Sequence, residues 1–348
     1  MAFPVTDHTV KTARHTTCYL ACGPEAGPLL ILCHGWPELS LSWRHQLPTF
    51  ASLGFRCVAP DMRSYGRSST YARHQDFAQE EIVQDMLELL AALGRDRAVW
   101  IGHDSGSIVV WNLAAHHPDK TVGVANLTIP YIAQGFTLDN LVPLVDRRTY
   151  PEAEYPVGQW DYILFYQESF DRACAWFDAN TRDVVKVVFR KGKPNGAGKP
   201  APSASVLKVS GWFSGAPCPD LPRDSDIISE QDLETYTSAL IRNGFFGATS
   251  WYVNYDADNA AYAARAVNDG KLSMPVLFLH AAYDYDCETI TSRFAEPMRR
   301  DCSNLTEVVV KSGHWMAQEK PAEVNAALVR WLVQKLPDYW PSQPKGRN

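Results

Sequence analysis

Three short apolar runs, each broken off by a glycine-bearing polar motif, set the strongest constraint on this chain. PLLILC (28–33) stops at His34-Gly35-Trp36-Pro37, FRCVAP (55–60) at Asp61-Met62-Arg63-Ser64-Tyr65-Gly66-Arg67-Ser68, and AVWI (98–101) at Gly102-His103-Asp104-Ser105-Gly106. Runs that are apolar throughout and bounded by turn residues fit strands covered on both faces, as in a parallel sheet. Helical patterns separate them. Val83, Met86, Leu87 and Leu90 recur at i, i+3, i+4, i+7 with Gly94 as a stop, and 105–117 is apolar nearly all round, as a helix beside a central strand must be. The alternation predicts an α/β fold.

The pattern lapses after about residue 133. It returns at PVLFL (275–279) and EVVV (307–310), and closes with a helix in which Val324, Leu328, Trp331 and Leu332 share a face between Pro321 and Pro337. The expected organisation is a core of residues 1–133 and 255–348 with a domain, 134–254, inserted into it. Residues 131–254 hold 19 of the chain's 40 aromatic residues, so this part needs large apolar surfaces. Within it KGKPNGAGKPAPSAS (191–205) reads as a flexible loop.

Charge and cysteine usage exclude several classes. Lys and Arg number 33 against 39 Asp and Glu, a net charge of −6, which gives no basic surface for nucleic acid. No run of about 18 apolar residues is present to span a membrane. MAFPVTDHTVKTARH lacks the apolar centre of a secretory signal, and PDYWPSQPKGRN carries no lipid anchor or peroxisomal address. The eight cysteines form no CxxC pair, so buried free thiols are expected rather than disulfides or a zinc site. Together these features lead to the expectation of a cytoplasmic monomer or homodimer, without metal or cofactor, membrane or nucleic acid.

Gly102-x-Asp104-x-Gly106, after a strand and before a helix, has the form of a nucleophile elbow. Its central residue sits on a strained turn that needs small neighbours, and His103 is too large to flank an elbow centred on Ser105. Asp104 is therefore the candidate nucleophile. The order expected of such a site is nucleophile, acid, histidine. Asp284, in Tyr283-Asp284-Tyr285-Asp286, and His314, in Ser312-Gly313-His314-Trp315, follow later strands in that order.

HGWP (34–37), DMRSYGRS (61–68), GHDSG (102–106) and SGHW (312–315), with WDYILFYQE (160–168) and Ser250-Trp251-Tyr252, resemble the α/β-hydrolase superfamily and within it the soluble epoxide hydrolases. The resemblance covers nearly the whole chain. It implies an α/β-hydrolase fold, a mostly parallel sheet flanked by helices, with an inserted, mainly helical lid. It also implies hydrolysis of a small hydrophobic epoxide with water. Asp104 would attack, Tyr162 and Tyr252 would donate protons, and His314 with Asp284, selected over Asp286, would activate water. Backbone N–H groups of Trp36 and Ser105 would form the oxyanion hole, and Trp36, Phe165 and Trp251 would line the substrate site. Many relatives carry Trp where this chain has Ser105, which removes an indole donor and widens the pocket.

An aspartate suits such chemistry because it is ionised at neutral pH and leaves an ester. The opening epoxide becomes an alkoxide, which must be protonated as it forms. A haloalkane or haloacid dehalogenase would use the same Asp–His–acid set. An esterase centred on Ser105 and a catalytically silent ligand receptor of this fold are further alternatives.

Overall fold

A computed structural model describes residues 3–254 and 257–341. Eight strands form one sheet: β1 Thr6–Lys11, β2 Thr16–Cys22, β3 Leu29–Cys33, β4 Arg56–Pro60, β5 Ala98–His103, β6 Thr121–Leu127, β7 Val276–Ala281 and β8 Leu305–Val310. Their order across the sheet is β1-β2-β4-β3-β5-β6-β7-β8. β1 pairs antiparallel with β2 and β2 with β4, and every other pairing is parallel.

The apolar runs became central strands because both faces of each are covered. Alternate residues of β3 and β5 enter opposite cores. Ile31, Cys33 and Trp100 face the side that includes helices Gln79–Ala92 and Ser105–His116, while Leu30, Leu32, Val99 and Ile101 face helices Gln46–Ser52 and Pro321–Lys335. Helix Gln79–Ala92 buries Val83, Met86 and Leu90 as its period requires and ends at Gly94 with φ 65°. The N–H of Gly94 reaches Ala91 O and that of Arg95 reaches Leu90 O, the two bonds of a Schellman stop.

Between β6 and β7 the described chain is helical or irregular and includes helices Asp161–Glu168, Phe170–Ala179, Thr181–Val188, Glu230–Asn243 and Phe246–Val253. The Gly- and Pro-rich stretch 191–205 departs from the loose loop its composition suggests. Gly192 N–H donates to Glu319 Oε2 at 3.0 Å, Tyr285 Oη to Lys193 O at 2.7 Å, and Ala201 N–H to Tyr150 Oη at 3.1 Å. It is exposed in sequence character yet anchored at successive points to residues beside the candidate site. Among the described residues, no helix is long and apolar enough to cross a membrane.

Candidate active site

β5 ends at His103 and a helix starts at Ser105, so Asp104 occupies the junction with φ 51° and ψ −130°. A left-handed φ on a non-glycine residue costs on the order of 1–3 kcal/mol and survives only where the surroundings impose it. Here they do. A Cβ on Gly106 would lie 2.4 Å from Cys33 O, and one on Gly102 would lie 2.6 Å from the Ser107 Cα, so helix and strands close to a distance only glycine allows. The turn holds Asp104 beyond the C-terminal ends of the parallel strands, where open α/β sheets bind ligands.

The two carboxylate oxygens of Asp104 face different partners. Trp36 N–H donates to Oδ1 at 2.8 Å, and His314 Nε2 lies 3.5 Å from Oδ2. Ser105 opens the helix, whose first-turn amides and dipole favour negative charge at this end. His314 Nδ1 bonds Asp284 Oδ2 at 2.7 Å, and Cys287 N–H donates to Asp284 Oδ1 at 3.1 Å, so both oxygens of the buried acid are engaged.

Burial alone would raise the Asp104 carboxyl. The hydrogen bond and charge of His314, then the charge of His103 and the Trp36 N–H, outweigh it and bring the pKa down to about 2. Burial pulls His314 the other way. The Asp284 charge and hydrogen bonds to Asp104, Asp284 and Cys287 prevail and hold its ring well above the usual histidine range. The resting site is thus a carboxylate beside an imidazolium.

Beneath them lies a pair that sequence reasoning missed. Glu38 and His103 have side chains 1% exposed each, and Glu38 Oε1 lies 2.6 Å from His103 Nδ1. His103 Nε2 faces the His314 carbonyl oxygen at 2.8 Å, so the ring bridges Glu38 and the His314 backbone. Glu38 also accepts the Gly35 N–H at 2.9 Å. Burial opposes its ionisation, but the His103 charge and hydrogen bond hold its pKa below the ordinary value. One buried carboxylate therefore ties the Gly35–Trp36 loop to the backbone of His314. Glu319 makes a second such tie, accepting Gly192 N–H at 3.0 Å and Gly313 N–H at 2.8 Å on one oxygen.

Aromatic side chains from two helices lie above. Tyr162, half-buried on Asp161–Glu168, and Tyr252, buried on Phe246–Val253, meet edge to face with ring centres 5.7 Å apart. Tyr252 also meets the Trp36 ring at 6.3 Å, which links the pair to the loop holding Asp104. Tyr166, one turn beyond Tyr162, packs on both at 5.5 and 5.1 Å, and its hydroxyl accepts the Trp212 indole N–H at 2.9 Å.

The other expected lining residues divide. Trp36 lies beside Asp104, its ring packed on Phe177 and Tyr252. Phe165 instead lines a cavity of about 90 Å³ with Trp176 and Trp212, and the Arg172 guanidinium lies over its ring. Trp251 is buried against Tyr65, with ring centres 6.2 Å apart. Asp286 accepts a hydrogen bond from Ser203 Oγ, and burial with the adjacent Asp284 charge lifts its pKa to about 6.

Residues 28–154 match the alpha/beta hydrolase fold family. The chain is 31% identical to epoxide hydrolase A of Mycobacterium tuberculosis, over 94% of this chain and 97% of that protein. It is also 31% identical to bifunctional epoxide hydrolase 2 of Sus scrofa over 88% of this chain, which corresponds to 52% of that longer protein. The crystal structure of epoxide hydrolase A from Mycobacterium thermoresistibile superposes with a TM-score of 0.77 at 29% identity, covering 95% of this chain and 99% of that one. An aspartate elbow followed by an acid and a histidine, carried on a fold shared with these proteins along almost its whole length, places the chain in the epoxide hydrolase family of α/β-hydrolase enzymes.

Proposed function

We propose that the protein hydrolyses a hydrophobic epoxide to a vicinal diol through an ester on Asp104. The observation that carries this reading is the asymmetric holding of its carboxylate: Oδ1 is bound by the Trp36 N–H, while Oδ2 faces His314 at 3.5 Å. Oδ2 attacks an epoxide carbon, the carbon–oxygen bond of the ring breaks, and the leaving alkoxide takes a proton from Tyr162 or Tyr252. Oδ1 becomes the ester carbonyl, already seated at a backbone donor.

Ester formation removes the negative charge of Asp104, one of the influences that hold the proton on His314. The ring gives that proton up to restore the tyrosine that protonated the alkoxide, and the neutral imidazole, oriented by Asp284, takes a proton from water as the water attacks Cγ. The oxyanion forms on Oδ1 against Trp36 N–H and the helix start at Ser105; its collapse breaks the Cγ–Oδ2 bond, and the departing diol oxygen takes the proton from His314. Glu38 and His103 act through position, fixing the Trp36 loop against the His314 backbone. The aromatic walls around Tyr162 and Tyr252 favour an apolar substrate and exclude stray water.

A panel of neutral aryl and alkyl epoxides assayed beside 1-chloroalkanes tests the reading. Diol from the epoxides, no halide from the chloroalkanes, and loss of turnover in folded Asp104→Ala are expected. Halide release without diol formation would assign the site to dehalogenation instead.

A further inference from the structure

Cys287 lies at the triad itself. Among the described residues, Asp284, Cys287 and His314 are the only three metal-ligating side chains brought to one point, with their donor atoms within 4.8 Å of one another. The eight cysteines are all free and buried, and spacing along the chain gives no hint of this cluster, because its donors come from two loops after different strands. We propose that these three side chains form an inhibitory site for a thiophilic divalent cation such as zinc or cadmium, which on binding takes the acid and the base away from the reaction.

A tetrahedral zinc ion has bonds of about 2.0–2.3 Å to oxygen, nitrogen and sulfur, which sets its donors about 3.5 Å apart. The Asp284–His314 contact is 2.7 Å and the widest separation in the cluster is within 4.8 Å, so the required spacing falls between them. Shifts on the order of 1 Å close the site, with a water or chloride completing the fourth position. The donor set, one thiolate, one imidazole and one carboxylate, is that of borderline-soft cations and not of magnesium or calcium. His314 is 21% exposed, so the ion arrives through the substrate site, whereas Asp284 and Cys287 are buried behind it. The charge balances. The Cys287 thiol and the His314 imidazolium each release one proton to solvent, Asp284 binds as a carboxylate, and no electron moves.

The backbone N–H of Cys287, not its sulfur, supports Asp284, so the thiol can be altered without cutting that bond. The test titrates the full-length protein with cadmium and follows the ultraviolet sulfur-to-cadmium charge-transfer band, a readout that needs no turnover. One equivalent should develop the band in the parent and in Cys302→Ala, and neither Cys287→Ser nor Cys287→Ala should develop it. In parallel, zinc should inhibit epoxide hydrolysis reversibly, with relief by EDTA. Loss of an outer-shell partner weakens a metal site about 10–100-fold, and loss of a direct ligand should weaken inhibition at least as much in both Cys287 variants. A band that persists in the Cys287 variants, or inhibition constants equal to the parent's, would overturn the site. Absence of epoxide turnover in the parent would defeat the functional reading alone, because the spectroscopic titration still decides the metal site.

Discussion

His314 presents Nε2 to Asp104 Oδ2 across 3.5 Å, longer than a good hydrogen bond. In the proposed mechanism the two residues act in succession. Single turnover in heavy-oxygen water with excess enzyme should give unlabelled diol and leave the label in Asp104. In His314→Gln the second step should stall, and intact-protein mass should rise by one substrate. Label in the first diol without any adduct would mean direct attack by water.

Tyr162→Phe and Tyr252→Phe should each slow alkylation by about 10²–10⁴-fold, the range of general acid catalysis. The rings meet at 5.7 Å and can stand in for one another, so the single losses should not add to that of the double variant. Rapid-quench measurement of adduct formation distinguishes this from a packing role: a double variant that alkylates at the parent rate removes both from the chemistry.

His314 should stay protonated well past pH 6.5 in the free enzyme, held against burial by Asp284 and Asp104. Its folded pKa is raised, so this interaction stabilises the fold fully below the unfolded value of about 6.5 and is lost as pH rises through the folded pKa. Asp104→Asn removes one of the two charges and should lower the NMR-observed titration of the ring. The same shift accompanies ester formation, so the acid limb of kcat should lie below the titration of the free enzyme. Equal titration in parent and Asp104→Asn would show that Asp104 does not hold the proton.

Glu38→Gln should be costly to stability although it touches no substrate. The Glu38–His103 pair is 1% exposed on both sides, and removing one partner of a buried ion pair costs about 3–5 kcal/mol. Chemical denaturation measures this directly. A change under about 1 kcal/mol would mean that the pair is readily replaced by a neutral hydrogen bond.

The doubly covered strands and the motifs at their ends were legible because each carries its own signal, an unbroken apolar run followed by a turn. β1 was not, since TDHTVK is an edge strand with an exposed, alternating pattern and no buried run. Tyr252 and Trp251 show a second limit. Adjacent helical residues point about 100° apart, so a helix that turns Tyr252 to the site must turn Trp251 toward Tyr65. Phe165, three residues after Tyr162, stands only about 60° from it around the helix, yet lines the cavity with Trp176 and Trp212. Glu38 and His103 stand 65 positions apart, and only the folded loop reveals that each cancels the other's burial cost.

The chain leaves the sheet at Leu127 and re-enters at Val276, and these strands are immediate parallel neighbours, with Val124 opposite Val276. Whatever length is spent between those two points adds nothing to the spacing of the strands that carry Asp104, Asp284 and His314. The stretch between them can change in length while the strand ends that carry Asp104, Asp284 and His314 keep their register. A graft of 134–254 from a relative that keeps both tyrosines should therefore move substrate range while leaving the reaction on Asp104 in place.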